Sequence, residues 1–248
     1  MDPADFYTGI VAEVYGPLKA HSQDAEPYAR FVRQHGEPAL ELGCGDGEPL
    51  LDLRRQGLDV EGLDSSADML ARCTLRARRE GLSVVVHQQK MEDLDLPRRY
   101  RAIFLAGPTF TLLPDDESAL RALRRIHDHL EPDGTAMVPL FIPTPAPPDQ
   151  FGDARTTTLA DGTTLRVSYL SQQRDEAERT QHTMLRYERV SGGDSTIVDR
   201  LWTVHWHTPS SFGELAVKSS LDVVDVVGTD GTPADDATEF TFFLRRRL

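Results

Sequence analysis

The sequence predicts an α/β fold built on a seven-stranded, mostly parallel sheet, with an antiparallel β insert between the fifth strand and the helix that follows it. Up to Ile142, short apolar runs alternate with helical patterns, which is typical of a parallel sheet covered by helices. Strand-like runs then follow one another without helices, which indicates an antiparallel meander. A helical pattern and two more strand-like runs complete the sheet near the end of the chain.

The parallel part of the sheet comes first along the chain. Its strands are expected at 39–43, 60–64, 83–87, 102–106 and 135–142. The intervening helices are expected at about 48–56, 65–80 and 116–130. Ser65 is predicted to cap the second helix, with Asp68 three residues later as its capping-box partner. Pro132-Asp133-Gly134 is expected to end the third helix.

A stiff connector containing Pro143, Pro145, Pro147 and Pro148 leads into the insert. Asp161-Gly162 predicts a hairpin turn within it. The strands of the insert are expected at 155–160, 163–171, 180–190 and 196–207, and a helix at 210–220 with strands at 221–227 and 239–245 returns to the main sheet. We therefore expect an N-terminal helix and α/β core at 1–142, the insert at 143–208, and a C-terminal helix with two strands at 209–248.

Composition narrows the classes of function. The formal net charge of −13 disfavours nucleic acid as a partner, because an acidic surface repels phosphate backbones. No apolar run approaches the roughly 20 residues of a membrane span, and the acidic start Met1-Asp2-Pro3-Ala4-Asp5 is unlike a signal peptide. Cys44 and Cys73 form no disulfide framework. We expect a cytoplasmic protein, either a monomer or a homodimer, with no nucleic-acid or membrane partner.

The glycine-rich stretch Glu41-Leu42-Gly43-Cys44-Gly45-Asp46-Gly47 directly follows the first predicted strand. Glycines at this position let the backbone approach a ligand closely. Asp64 ends the second strand, where a carboxylate accepts hydrogen bonds from the hydroxyls of a ribose. Together these features predict a cofactor that contains a nucleoside.

Two acidic residues indicate which of the nucleoside-containing cofactors is favoured. The third glycine of the dinucleotide fingerprint is replaced by Glu48, and Asp46 is close by. A pyrophosphate at the N-terminus of the next helix would be repelled by these carboxylates. S-adenosylmethionine has no phosphate and carries a sulfonium and an ammonium group. The stretch therefore favours S-adenosylmethionine over NAD and ATP, and the P-loop pattern of ATP-binding proteins is absent.

The segment from Ala39 to about Met69 resembles class I S-adenosylmethionine-dependent methyltransferases, whose first motif reads E/D-x-G-x-G-x-G. The resemblance extends less specifically through Ile142. It implies a Rossmann-like sheet, S-adenosyl-L-methionine as cofactor and S-adenosyl-L-homocysteine as product. The cofactor-binding residues it implies by position are Tyr15, Glu41, Gly43, Cys44, Gly45, Asp64, Ser65, Met69, Met91, Glu92, Ala106 and Gly107.

The sequence departs from this family at two places. Lys90 and Arg101 stand where the family often has acidic residues, and Lys90 bears on the assignment of the adenine site. The turn Ala106-Gly107-Pro108 is also unlike the N-P-P-Y turn used on nucleobases and glutamine amides. This turn disfavours DNA and protein-amide acceptors.

The position of the insert resembles that in small-molecule methyltransferases, including glycine N-methyltransferase and the enzymes that dimethylate amino sugars. The resemblance implies an insert that covers the carboxyl ends of the strands, where ligands bind. Residues 200–207 alternate, which places Trp202 and His205 on opposite faces. Both are candidates for the acceptor pocket, and His205 is also a candidate catalytic group. In the alternative interpretation, the tryptophans pack between sheets and the histidines are either exposed or satisfied within the core.

Aromatic residues near the N-terminus predict an amphipathic helix that packs on the domain or, by the resemblance, closes over the cofactor. Tyr7 is a candidate for the acceptor pocket, and Tyr15 is a candidate for both cofactor binding and catalysis. Phe110, just beyond the fourth strand, is a third candidate wall of the pocket. No metal site is expected, because Asp115-Asp116-Glu117 is typical of a helix start and no cluster has ligand spacing.

The main functional hypothesis is methyl transfer from S-adenosylmethionine to a nitrogen or oxygen of a small-molecule metabolite. The alternative is a protein that binds the same cofactor without methyl transfer, as a non-methylating enzyme or a regulatory binding protein. Formation of S-adenosylhomocysteine distinguishes the two.

Overall fold

The computed structural model describes residues 6–19, 24–229, 233–234 and 237–247, so the acidic N-terminal residues 1–5 lie outside the described residues. A seven-stranded sheet has the strand order β10-β11-β5-β4-β1-β2-β3. Its strands are β1 (Ala39–Leu42), β2 (Val60–Asp64), β3 (Val86–Gln88), β4 (Tyr100–Leu105), β5 (Leu130–Phe141), β10 (Leu221–Gly228) and β11 (Glu239–Arg246). Strands β1 to β5 pair in parallel, whereas β11 is antiparallel to both β5 and β10. The predicted α/β fold class is confirmed.

Helices cover both faces of this sheet. They are α2 (Glu26–His35), α3 (Leu50–Arg55), α4 (Ala67–Arg79), α5 (Asp116–His129) and α6 (Pro209–Lys218), whereas α1 (Ile10–Leu18) lies elsewhere. Helices α5 and α6 pack on one face, in a cluster that includes Leu40, Ile103 and Phe212. Helices α2, α3 and α4 pack on the other face. The central strands are buried on both sides, which explains their nearly continuous apolar sequences.

Several boundaries differ from the prediction, including the start of β3 at Val86 instead of residue 83, and two of them are decided by side-chain capping and strand pairing. Ser66, not Ser65, caps α4: its hydroxyl accepts a hydrogen bond from the backbone N–H of Met69 at 3.2 Å. Helix α5 ends at His129, and β5 begins at the next residue instead of at Thr135. The chain bends within β5, where the pairing with β4 shifts register between Tyr100 and Ala102. The Pro132-Gly134 segment is therefore part of an irregular strand.

The insert forms a separate antiparallel sheet of order β6-β7-β8-β9, as predicted. Its strands are β6 (Ala154–Thr158), β7 (Thr164–Asp175), β8 (Thr180–Ser191) and β9 (Asp194–His205). The predicted turn at Asp161-Gly162 joins β6 to β7, and Asp161 Oδ1 accepts a 2.9 Å hydrogen bond from the N–H of Thr163. Helix α1 packs on this sheet through a small apolar cluster of its own that includes Phe6, Val14 and Tyr187. Within the described ranges, no helix has the length and apolar character needed to cross a membrane.

Candidate active site

The carboxyl ends of the parallel strands surround a cavity of about 110 Å³, called here the cofactor cavity. The loops after β1, β2, β3 and β4 all contribute to its wall, as expected for a ligand site in an open α/β sheet. The lining residues are Tyr7, Tyr15, Gly43, Gly45, Leu63, Asp64, Ser65, Met69, Gln89, Lys90, Met91, Glu92, Thr109, Leu112, Leu113 and Pro114.

The glycine turn approaches the cavity closely because two of its residues have no side chain. Gly43 has a φ of 74°, and a Cβ there would lie 2.5 Å from Thr109 Cγ2. Gly45 has a φ of 52°, and a Cβ there would lie 3.3 Å from Met69 Cε. The N–H groups of Gly43 and Cys44 both donate to the carbonyl of Leu63, at 2.7 and 3.0 Å. The turn therefore requires glycine at both positions, and it is anchored to the end of β2.

Asp64 is held in a fixed orientation at the edge of the cofactor cavity. Its Oδ2 accepts a 2.8 Å hydrogen bond from the N–H of Gly45, and its Oδ1 accepts one of the same length from the N–H of Ser66. Burial raises the pKa of Asp64, although these two hydrogen bonds act in the opposite direction. Each carboxylate oxygen retains accepting capacity, so the group can take hydrogen bonds from two neighbouring hydroxyls.

Glu41 is an unusual buried acid directly before the glycine turn. Its side chain is 0% exposed, and neither carboxylate oxygen has a hydrogen-bond partner among the described residues. Burial raises its pKa to about 8, and the nearby charge of Asp64 acts in the same direction. A cationic ligand close to this carboxyl would favour its ionised form. The sulfonium and ammonium groups of S-adenosylmethionine meet that requirement, so the site fits this cofactor.

Tyr7 and Tyr15 form the wall contributed by the N-terminal segment. Their rings meet edge to face with centroids 5.6 Å apart. The segment is tied to the core by the hydroxyl of Ser66, which donates to the carbonyl of Tyr7 at 2.6 Å, and by an ion pair of 3.1 Å between Lys19 and Glu48. Burial raises the pKa of Tyr15 to about 12, with contributions from Asp46 and Glu48. Its phenol therefore stays neutral at physiological pH.

A second cavity of about 190 Å³, called here the aromatic cavity, lies between α1 and the insert. It shares Tyr7 and Tyr15 with the cofactor cavity. Its other lining residues are Phe6, Val11, Val14, Leu18, Lys19, Arg155, Val167, Tyr169, Leu185, Tyr187 and Trp202. The Nε1 of Trp202 is buried and reaches no full hydrogen bond among the described residues, but it lies near the hydroxyl of Tyr7 and acts to lower the pKa of that phenol. The cavity thus combines apolar walls with two cationic side chains.

Comparison with known proteins agrees with this geometry. Residues 39–134 match the family described as Methyltransferase domain. The chain is 35% identical over 181 residues to a dTDP-3-amino-3,6-dideoxy-alpha-D-glucopyranose N,N-dimethyltransferase of Streptomyces fradiae, a match that covers 69% of each protein. The chain belongs to the class I S-adenosylmethionine-dependent methyltransferases.

Solved structures share the fold over the full length of this methyltransferase. The CcbJ methyltransferase of Streptomyces caelestis superposes with a TM-score of 0.76 at 22% identity, covering 100% of this chain and 99% of the other. The sugar N-methyltransferase KedS8 of Streptoalloteichus sp. gives a TM-score of 0.74 at 20% identity, covering 97% and 94%. The insert is therefore a shared part of the architecture. The cofactor, S-adenosylmethionine, follows from membership of the methyltransferase family.

Several residues expected at the cofactor line the cofactor cavity of this methyltransferase. They are Tyr15, Gly43, Gly45, Asp64, Ser65, Met69, Met91 and Glu92. Glu41, Cys44, Ala106 and Gly107 are not among its described lining residues. The N–H of Gly107 instead donates to the hydroxyl of Tyr28 at 3.0 Å. The chain then enters a 3-10 turn, Thr109–Leu112, which presents other residues to the cavity.

Phe110 was predicted to form a wall of the acceptor pocket, but it is not among the described lining residues of either cavity. It is 0% exposed and packs edge to face on Phe212, with centroids 5.3 Å apart. Thr109 and Leu112 line the cofactor cavity in its place. Their spacing of three residues puts both on one side of a 3-10 turn, and this periodicity is the sequence signal that could have identified them. Gln89, Lys90, Leu63, Leu113 and Pro114 are further lining residues that the sequence analysis missed.

Trp202 and His205 lie on opposite faces of β9, as the alternation predicts. Trp202 lines the aromatic cavity, and its expected place in the acceptor pocket stays a prediction. His205 was expected at the acceptor, but it is not among the described lining residues of either cavity. Its ring lies against Asp116 and His207. The reason is that α1 covers the Trp202 face of the insert, whereas the start of α5 meets the His205 face.

Proposed function

We propose that this methyltransferase transfers a methyl group from S-adenosylmethionine to the amine nitrogen of a small amino sugar bound in the aromatic cavity. The observation that carries the proposal is the position of Tyr7 and Tyr15, which line both cavities at once. An acceptor in the aromatic cavity therefore meets the cofactor at these two side chains. The relative from Streptomyces fradiae dimethylates the amine of a dTDP-linked amino sugar.

The charges in the aromatic cavity support an acceptor that carries an anionic group. Arg155 contributes positive charge, whereas Lys19 is paired with Glu48, and the described lining residues include no aspartate or glutamate. An arginine matches the geometry of a phosphate through paired N–H donors. A nucleoside diphosphate attached to an amino sugar fits this pattern of charges.

When bound, S-adenosylmethionine supplies a methyl group on a positively charged sulfur, which an uncharged amine can attack. The roles of the protein are to bind and align the two reactants. Asp64 is oriented to accept hydrogen bonds from the ribose hydroxyls. Glu41 is buried directly before the glycine turn, and it would supply a negative charge only when the cationic cofactor shifts its carboxyl toward the ionised form. Tyr7 and Tyr15 exclude water from the junction of the cavities.

No described lining residue of the aromatic cavity is a histidine, aspartate or glutamate that would accept the proton of an ammonium group. The phenols of Tyr7 and Tyr15 are kept neutral, since burial raises the pKa of both. We infer that the enzyme binds the neutral form of the amine, with a phenol oxygen accepting a hydrogen bond from the N–H group. Tyr15 is thus a positioning residue in this mechanism, and a general base is not required.

The proposal is tested by incubating the protein with S-adenosylmethionine and dTDP-3-amino-3,6-dideoxyglucose, followed by mass spectrometry. We expect S-adenosylhomocysteine and products heavier by one and two methyl groups. The Asp64→Ala variant is the matched negative control. Binding of S-adenosylmethionine without S-adenosylhomocysteine formation across a panel of amino sugars would favour the alternative, a cofactor-binding protein without methyl transfer.

Three wider properties of the protein also stay predictions. We infer from the acidic composition that nucleic acid is not a partner. A cytoplasmic location and a monomeric or homodimeric state are carried over as predictions from the sequence. Size-exclusion chromatography with light scattering measures the oligomeric state. A gel-shift experiment with duplex DNA at low ionic strength tests the exclusion of nucleic acid.

A further inference from the structure

Three ligating side chains meet outside both cavities, where the insert touches the core. Asp116 is the first residue of α5, His205 is the last residue of β9, and His207 lies in the connection to α6. The Oδ1 atom of Asp116 is 3.5 Å from Nε2 of His205 and 3.6 Å from Nδ1 of His207. The two imidazole rings are in edge-to-face contact with centroids 4.7 Å apart. One ligand atom from each residue lies within 4.8 Å of the other two.

His207 gives independent evidence that a ligand belongs here. It is 0% exposed, and neither ring nitrogen has a hydrogen-bond partner among the described residues. Burying unsatisfied polar atoms is costly, so folded proteins satisfy most of them. The Nδ1 atom of His207 faces the carboxylate of Asp116 without reaching hydrogen-bond distance. A bound ion between these atoms would satisfy both groups.

We propose that Asp116, His205 and His207 form a binding site for a divalent transition-metal ion such as Zn²⁺. The ligand atoms around a tetrahedral zinc ion lie about 3.4 Å apart, given bond lengths of about 2.0–2.1 Å. The two measured separations to Asp116 are close to this value. Imidazole ligands favour zinc, nickel, cobalt and copper over magnesium and calcium. The carboxylate of Asp116 is half exposed, which leaves a route for the ion and a coordination position for water.

Arg179 is the competing group at this site. Its guanidinium donates hydrogen bonds of 2.6 and 2.5 Å to the two oxygens of Asp116. It comes from the turn between β7 and β8, so it neutralises the carboxylate from the insert side. Asp115 and Glu178 add negative charge around His205. A metal ion would share Asp116 with Arg179 or displace it, and removal of Arg179 should therefore strengthen metal binding.

A metal ion bound at this site would hold the insert in place against the wall of the cofactor cavity. The ring of His207 contacts Phe110, with centroids 6.1 Å apart, in the same 3-10 turn as the lining residues Thr109 and Leu112. Bound metal would connect this turn, β9 and α5 at one point. The inferred role is structural, and its test does not depend on the acceptor or on methyl transfer.

The experiment measures Zn²⁺ binding to the chelator-treated full-length protein by calorimetry and Co²⁺ binding by visible absorption. We expect one ion per chain and an absorption band typical of nitrogen and oxygen ligands. Asp116→Asn and His205→Gln should each weaken binding at least about tenfold. His127→Gln is the matched control, because His127 is on the same helix α5 beside Asp128 and outside the cluster. Absence of stoichiometric binding, or equal weakening in the control, would overturn the proposal.

The Arg179→Gln variant is expected to gain affinity for Zn²⁺, and a loss of folding would not produce such a gain. With the competing guanidinium removed, Zn²⁺ affinity should rise several-fold, with the stoichiometry unchanged. A circular-dichroism melt confirms that each variant is folded before titration. If Arg179→Gln binds zinc no more tightly than the parent protein, Asp116 is not a ligand and the site is refuted.

Discussion

The N–H of Gly45 donates a hydrogen bond of 2.8 Å to Oδ2 of Asp64. The bond joins the glycine turn after β1 to the end of β2, so the two parts of the cofactor site are positioned by each other. The other oxygen of Asp64 binds the N–H of Ser66, which also fixes the start of α4. A single carboxylate thereby organises the turn, the cavity edge and the next helix.

Asp64→Asn tests this arrangement with little change in size. An amide provides one accepting atom in place of two, so it cannot serve Gly45, Ser66 and a ribose hydroxyl together. We expect the Kd for S-adenosylmethionine to rise at least about tenfold, or about 1.4 kcal/mol. Isothermal calorimetry measures the change, with Asp225→Asn on the exposed edge strand β10 as the control. Unchanged affinity in Asp64→Asn would show that Asp64 does not contact the cofactor.

Gly43→Ala tests the close approach of the glycine turn. The added Cβ would meet Thr109 Cγ2 at 2.5 Å with the backbone at a positive φ. We expect a loss of about 1–3 kcal/mol in the free energy of unfolding, measured by urea denaturation. Gly213→Ala is the matched control, since no heavy atom lies within 4 Å of its added Cβ and it is within α6. That change should be neutral or stabilising by up to about 1 kcal/mol. Equal effects at the two positions would contradict the steric argument.

Glu41→Gln tests the raised pKa of the buried acid. Between the ordinary carboxyl pKa of 4.5 and about 8, the folded protein holds a proton that the unfolded chain has released. Protons bound only by the folded state make stability fall as pH rises through this interval. In thermal melts of the cofactor-free protein, we expect a smaller decrease over this interval for Glu41→Gln than for the parent. Parallel pH profiles for the two proteins would exclude a titrating Glu41.

Tyr15→Phe separates alignment of the acceptor from proton transfer. The variant keeps the ring contact with Tyr7 and loses only the hydroxyl. We expect kcat to fall about tenfold while the Kd for S-adenosylmethionine stays within about twofold. Because the pKa of Tyr15 is raised to about 12, the pH dependence of kcat/KM should keep the same midpoint in both proteins. Loss of the acidic limb in Tyr15→Phe would instead identify the phenol as a general base.

Arg155→Gln tests the charge of the aromatic cavity. Removing this cation should raise the KM for a nucleotide-linked amino sugar at least about tenfold, because a charge-assisted contact to phosphate is lost. Cofactor affinity should not change, since Arg155 lines only the aromatic cavity. Arg166→Gln, in the adjacent strand β7 and paired with Glu188, is the control. If both variants raise KM equally, the effect comes from the net charge of the protein and not from a contact inside the aromatic cavity.

Local sequence determined the fold class and the residues at the glycine turn and at the end of β2 that line the cofactor cavity. Glycines at 43 and 45, Asp64 at the end of a strand and a capped helix are all close in the chain or joined by one βαβ unit. A parallel sheet brings the ends of successive strands to one edge, so their approximate positions follow from the order of elements alone. Trp202 was located by the same kind of argument, through the period of two in a strand.

Only the tertiary structure decided which face of each distant element meets the site. Phe110 and His205 were predicted to contact the acceptor, whereas packing buries Phe110 against Phe212 and turns His205 toward Asp116. Asp116 and His205 are far apart in sequence, and nothing in their spacing indicates that α5 docks on that face of β9. Periodicity states which residues share a face, but the burial of apolar surface between separate elements determines what each face contacts.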